Sequence, residues 1–421
     1  MPLVNFFALF VSVFFLMTGI GLLGTYLPFS MSSDGIEPSI IGGVTSAYYF
    51  GMFVGAFTST AIIRQVGHIR AFAAFAALTT AIVMGHALYG APFFWGVLRF
   101  LCGIAAIGLF TVVESWLNEM TEPNRRGRIM SIYMIISYLG MVAGQLMLNL
   151  AGTKEMGIFL IVGLMLSLCI VPLSTTRSVH PQIPGLKKIS IYKIIKKSPI
   201  GVFGCLTAGL VNGAFYSIGP VFCHNIGLSV SQLSLVMGIT ISGGLALQRP
   251  IGLISDRFDR AYVLVVVSAV ASSLSVAVIS MAELSFSHLV SVMAFFGGFS
   301  FVLYPVSVAR AHDLFDTEDI IPVSSTLLLS YAVGATVGPV IGSLAMKLGY
   351  GPYGLFIYCA VVQICFAATA FYLRNRELVT VVAAEENAPF VIMKDTSAYA
   401  VYIDPRTDED LQNGSGDRDR E

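Results

Sequence analysis

Apolar residues run along this chain in stretches of about 20, the length a helix needs to cross the roughly 30 Å hydrocarbon core of a bilayer. Polar residues are gathered into the short junctions between them. The stretches do not alternate apolar and polar positions, as the roughly ten-residue strands of a membrane barrel would. They predict helices near 4–28, 38–63, 69–89, 92–118, 127–151 and 156–174, then near 200–224, 230–254, 261–281, 285–312, 322–347 and 351–374. The predicted fold class is an all-α membrane protein with twelve transmembrane helices. The first stretch is longer than the apolar region of a signal peptide, lacks a basic start and is followed by no small-residue cleavage site. It is expected to stay as the first helix.

The pattern repeats. Gly21 and Pro28 recur as Gly213 and Pro220, each 192 residues further on. Ser137-Tyr138, followed by glycines at 140 and 144, recurs as Ser330-Tyr331 with glycines at 334 and 338. A nearly constant offset of half the helical region predicts two copies of one six-helix unit. The expected organisation is an N-terminal half (1–174), a basic linker loop (175–199), a C-terminal half (200–374) and an acidic tail (375–421). Two pseudo-symmetric halves of this kind are the architecture of many secondary transporters, with the substrate between them.

Charge sets the expected orientation. Only 11 % of residues are charged, and the formal net charge is zero, which leaves no basic surface for nucleic acid. One set of junctions holds Arg64, Arg70, Arg125, Arg126, Arg128, Arg177, five lysines between 187 and 197, Arg257, Arg260, Arg310, Arg374 and Arg376. The opposite set holds Lys154 and Lys347. Lys and Arg favour the cytoplasmic side, so both termini and the central loop are expected there, in a multi-pass protein of the cytoplasmic (inner) membrane. The central loop reads as an anchoring linker, with binding to anionic lipid as its alternative.

The tail changes character, with 11 acidic residues against 5 basic ones. Its end, 413–421, has no apolar content and is expected to be disordered. Phe390-Val391-Ile392 and Tyr399 to Ile403 are β-prone and read either as a small hairpin or as a segment docked on the bundle. All six cysteines fall inside spans without CxxC spacing, so they read as small buried apolar residues rather than disulfides or metal ligands. No phosphate-binding loop, catalytic motif or metal-ligand cluster is present, so neither an enzyme nor a cofactor is expected.

Candidate chemistry sits where polar groups interrupt the apolar spans. Gly252-Leu253-Ile254-Ser255-Asp256-Arg257-Phe258-Asp259-Arg260 resembles the G-x-L-x-D-R-x-G-R junction of the major facilitator superfamily, with Asp259 where the family has glycine. The first-half copy is degenerate, with Arg64 in place of the aspartate and Gly67 kept. Arg99 and Gly103 match the superfamily's R-x-x-x-G motif on the fourth helix, whose arginine faces the central cavity. The alternative for Arg99 is snorkelling to the interface. Val112-Val113-Glu114-Ser115-Trp116-Leu117-Asn118-Glu119, with Asn124 to Arg128, resembles a branch of bacterial inner-membrane permeases of this superfamily. The resemblance covers about 4–374. It implies the superfamily fold and transport by alternating access.

Two groups of residues follow. Arg99, Gln145, Asn212, Tyr216, Gln248, Arg249 and Tyr304 are candidates for substrate binding. Helix–helix hydrogen bonding is the plain alternative for Asn212, Tyr216, Gln248 and Tyr304, whereas Arg249 could bind an anion or join the gate. Glu114, Arg64, Arg70, Asp256, Arg257 and Arg260 are candidates for gating or proton coupling, since charges in a short loop can pair in one state and separate in another. Gly140-x-x-x-Gly144 and Gly334-x-x-x-Gly338 predict close helix packing. The expected function is secondary transport of a small organic solute, coupled to protons, by a monomer in the bilayer. Efflux of toxic compounds by antiport and a non-transporting membrane sensor are the alternatives.

Overall fold

The computed structural model describes residues 3–121, 125–150, 155–174, 190–282, 285–315, 319–376 and 390. Its elements are α1 (Leu3–Ser33), α2 (Pro38–Val66), α3 (His68–His86), α4 (Pro92–Met120), α5 (Arg126–Met147), α6 (Glu155–Leu168) and α7 (Ile170–Ser174). The short α8 (Ile191–Lys197) follows. Then come α9 (Pro199–Asn225), α10 (Val230–Arg257), α11 (Arg260–Ala282), α12 (Phe286–Phe301), α13 (Leu303–His312), α14 (Ile320–Ala345) and α15 (Gly354–Arg376). Among the described residues there is no strand. Twelve segments of the described residues are long and apolar enough to cross a membrane.

Two expected spans are broken, and proline explains both. A proline inside a helix has no N–H to donate and crowds the carbonyl four residues back. Pro172 lies four residues after Leu168, where α6 ends, and Pro305 lies four after Phe301, where α12 ends. Each pair (α6 with α7, α12 with α13) still makes a single crossing. The sixth and tenth spans are therefore each interrupted at a single residue, Cys169 and Val302, which hydropathy alone does not reveal.

Several helices outrun their expected ends, α1 reaching Ser33 and α2 reaching Val66. They stop at glycine caps. Gly35 and Gly227 have φ of +74° and +81°, the left-handed conformation that glycine adopts without steric cost. Each closes its helix in the same way. Ile36 N–H donates to Met31 at 3.0 Å after α1, and Leu228 N–H donates to Cys223 at 3.1 Å after α9. These are the crossed bonds of a Schellman cap, and the two glycines stand 192 residues apart, so the repeat extends to the caps.

Glycines also set the tight packing within each half. A methyl on Gly103 of α4 would strike the carbonyl oxygen of Tyr48 on α2, and one on Gly51 would strike that of Phe100. Gly140 and Gly144 of α5 face the α1 backbone at Phe14 and Thr18. Gly334 and Gly338 of α14 face α9 at Leu206 and Leu210. The two small-residue motifs thus play matching roles in the two halves. The halves meet along α1 against α9, α2 against α14, and α5 against α10.

Of the cysteines, five are buried as expected, but Cys365 is exposed on the outer surface of α15. The stretch 175–189 of the central loop lies outside the described residues, as does the tail except Asn375, Arg376 and Phe390.

Candidate functional site

A partly open cavity lies between the two halves, with about 1030 Å³ of space not filled by atoms once its open mouth is included. From the first half, α1, α2, α4 and α5 contribute Gly24, Tyr48, Tyr49, Arg99, Tyr138 and Gln145 among others. From the second, α9, α12 and α13 contribute Asn212, Tyr216, Ser217, Phe301 and Tyr304. Five of the seven expected binding residues therefore meet: Arg99, Gln145, Asn212, Tyr216 and Tyr304. Gln248 is buried in α10 and Arg249 is exposed, and neither lines this cavity.

Arg99 is 6 % exposed. It does not snorkel. Its guanidinium carbon lies over the Tyr48 ring, 4.4 Å from the centroid, and its Nε has no hydrogen-bond partner. Tyr216 stacks on Phe301, with centroids 5.3 Å apart and planes inclined by 24°. Gln145 donates from Nε2 to the Gly21 carbonyl at 3.2 Å, leaving its Oε1 buried without a donor, as is Asn212 Oδ1. Pro28 has no N–H for the carbonyl of Gly24 four residues back, and Gly24 faces the cavity. The pocket is thus an aromatic cage with one cationic side chain and several acceptors.

The sequence pattern missed most of the cage. Tyr48, Tyr49, Met52 and Phe301 sit in apolar runs where aromatic residues carry no distinguishing mark. The adjacent Tyr48-Tyr49 pair was the available signal, since a buried tyrosine hydroxyl calls for a partner.

One end of the bundle carries the start of α1 and the end of α15, and is here called the terminal end. The other is the far end. The hydrogen bonds and ion pairs traced between the halves gather toward the far end. Ser32 Oγ lies 2.8 Å from His224 Nδ1 and donates to Asn225 Oδ1 at 3.2 Å. Ser234 Oγ donates to the Gln145 carbonyl at 2.5 Å and accepts from Asn149 Nδ2 at 3.1 Å. Ser46 Oγ donates to the Thr336 carbonyl, and Lys347 Nζ lies 2.7 Å from Glu37 Oε1. Ser39 donates to the same carboxylate. Lys347 foremost, helped by Ser39, holds the Glu37 carboxyl below its usual range.

At the terminal end the charges of the second-half motif interlock. Arg260, 1 % exposed, donates from Nη2 to Asp256 Oδ1 at 2.7 Å and from Nη1 to Asp313. Asp259 accepts from the Ala261 N–H at 2.9 Å, capping α11, and from Arg374 Nε at 2.6 Å. Phe390 joins them from the tail, its N–H donating to Asp256 Oδ2 at 3.0 Å and its ring lying over Gly252. Arg257, Arg64 and Arg70 are exposed. Glu114 is wholly buried in α4 and accepts from the Tyr133 hydroxyl at 3.0 Å. Beside it, His68 Nε2 lies 2.9 Å from Ser115 Oγ, a contact that the sequence reading did not anticipate.

Comparison with known proteins gives the same architecture. The family model described as Major Facilitator Superfamily matches residues 9–305 and 202–403. The uncharacterized MFS-type transporter YcaD of Escherichia fergusonii is 30 % identical over 362 residues, covering 86 % of this chain and 93 % of that protein. The protein of the same description from Shigella flexneri is 30 % identical over 363 residues, with the same coverage. Among solved structures, the nucleoside transporter NupG aligns with a TM-score of 0.71 at 13 % identity, covering 88 % of this chain and 98 % of that one. A bacterial homologue of the human lysosomal transporter Spinster, inward-facing and unoccupied, aligns at 0.69 with 14 % identity, covering 88 % and 96 %. At such identities the structures speak to fold alone, but the family match and the YcaD relatives span nearly the whole helical region, and the chain belongs to the Major Facilitator Superfamily.

Proposed function

We propose that this membrane transporter moves a small organic solute by alternating access, driven by the proton gradient, as a monomer in the cytoplasmic membrane. The observation that carries the reading is the cavity shared by both halves while the traced cross-half bonds gather toward the far end. A bundle closed at one end and holding a polar site at its centre is one state of a two-state cycle. With the termini cytoplasmic, as the Lys and Arg distribution implies, this state faces the cytoplasm.

Roles follow from position. Arg99, Gln145, Asn212, Tyr216 and Tyr304 bind the solute. Glu114 carries the proton, because its carboxyl is fully enclosed, has a hydroxyl partner and sits on the same helix as Arg99. Asp256 and Arg260 hold the second-half helices together as one moving body, and Arg257, Arg64 and Arg70 mark the cytoplasmic rim.

The test uses proteoliposomes containing a trapped pH dye, with a pH gradient imposed and pooled metabolites, then pooled lipophilic cations, added outside. Solute-dependent proton flux is expected, and its sign separates symport from antiport. Folded protein that moves neither protons nor solute with any pool would overturn the reading in favour of a non-transporting sensor.

A further inference from the structure

We infer that the central cavity takes a flat, amphipathic organic monoanion: a molecule with one carboxylate, an aromatic body and a neutral hydrogen-bond donor. The inference rests on reading this cavity as the substrate site, and it concerns which chemistry that site accepts.

The charge argument comes first. Arg99 is the one ionisable acid or base other than tyrosine among the lining residues, and no carboxylate lines the cavity to neutralise it. A buried guanidinium without an anion is costly, and a carboxylate is the group whose geometry matches its planar fork. Arg99 is pre-set for that role. The Tyr48 ring under its guanidinium carbon holds it in place at the cavity wall. The unpartnered Nε supplies a donor that no protein group uses. A cation would meet an uncompensated positive charge, and a dianion would leave one of its charges unpaired.

The second argument comes from the acceptors. Gln145 Oε1 on α5 and Asn212 Oδ1 on α9 are buried without donors, and the Gly24 carbonyl lacks its helical donor because Pro28 follows. Unsatisfied buried acceptors favour a ligand that brings a hydroxyl or amide N–H to them. Gln145 and Asn212 belong to different halves, so one ligand spanning them touches both bodies that must move together.

Shape completes the argument. The stacked Tyr216–Phe301 pair of the second half faces a first half that offers Tyr48, Tyr49 and Tyr138. Flat walls of this kind favour a ring over a branched or sugar-like body.

A matched set of probes separates the terms: 4-hydroxyphenylpropionate, its primary amide, tyramine and tyrosine. They share a phenol and differ in charge. Binding to the purified full-length protein is followed by thermal shift and by calorimetric titration. The propionate is expected to bind saturably, the amide about tenfold more weakly or worse, since hydrogen bonds to charged groups are the stronger ones. Tyramine should not bind. Arg99→Gln is expected to abolish the difference between propionate and amide while leaving the unliganded protein folded, because no internal ion pair is lost. Should that variant misfold, Gly24→Phe fills the cavity at a position where added atoms meet open space, and it should block the propionate with Arg99 intact. Tighter binding of tyrosine would overturn the monoanion in favour of a zwitterion. Equal binding of acid and amide, preference for tyramine, or no binding of the propionate would overturn the anion reading itself. The transport reading fails separately: Arg99-dependent anion binding with no flux under any gradient would sink it and leave the site standing. Flux of a neutral or cationic solute without anion binding would do the reverse.

Discussion

Asp259 stands where the superfamily motif has glycine, and its side chain has two tasks that glycine cannot perform. One oxygen caps α11 through the Ala261 N–H, and the other holds Arg374, which is only 9 % exposed. Asp259→Gly is therefore expected to destabilise the protein even though it restores the family pattern. With glycine in its place the lost cap costs only about a few tenths of a kcal/mol, and a largely buried arginine left without its carboxylate adds about 1–3 kcal/mol. The melting midpoint in detergent should fall by several degrees; an unchanged midpoint would show that neither bond contributes. Glu114 invites the opposite kind of substitution. Glu114→Gln keeps an acceptor for Tyr133 but removes the ionisable carboxyl. Solute exchange across vesicles at equal pH is expected to survive, while accumulation driven by a pH gradient is lost. Loss of exchange as well would assign Glu114 to the gate instead.

At the scale of elements, glycine positions that look alike in sequence differ sharply in consequence. Gly103 and Gly334 each face a neighbouring carbonyl, whereas a methyl on Gly43 of α2 would meet nothing within 4 Å. Gly103→Leu and Gly334→Leu are expected to abolish folding, because the obstacle is backbone and cannot rotate away. Gly43→Ala should be neutral or stabilising by up to about 1 kcal/mol, since alanine suits a helix better than glycine. Monodisperse yield from detergent extraction reads all three. The twelve crossings and the two-fold repeat were legible in the sequence because hydropathy and the 192-residue offset are properties of long windows. The joints at Leu168 and Phe301 were less so, since they depend on single prolines acting four residues back. The site was half legible. Arg99, Gln145 and Asn212 stand out as polar groups in apolar spans, whereas Tyr48, Tyr49 and Phe301 become a cage only when helices from both halves come together. Gln248 and Arg249 carry the same polar signal yet point elsewhere, because helix rotation is set by packing that a one-dimensional pattern does not contain.

For the molecule as a whole, the proposed alternating access would make the far-end contacts decide which way the cavity faces, and the Glu37–Lys347 pair is their most solvent-exposed member, at 44 % and 59 %. Glu37 has a lowered pKa while the pair is closed. In a state open at the far end it returns toward the ordinary value of about 4.3. Its support for closure is therefore fully present above that ordinary value and is lost as pH falls through the lowered one. The pair is exposed and screened by salt, so the effect should be modest, a few-fold in the open population rather than a switch. Gly24→Cys places a thiol in the cavity without a clash, and Cys365→Ser removes the exposed native thiol. In that background, an impermeant maleimide applied at neutral pH from the Glu37 side should label slowly. Glu37→Gln should raise the labelling rate a few-fold, and raising the salt concentration should bring the parent toward the variant. Identical rates at all salt concentrations would show that closure is held by the uncharged contacts at Ser32, Ser46 and Ser234. The pair would then be an ornament of the closed state rather than one of its supports.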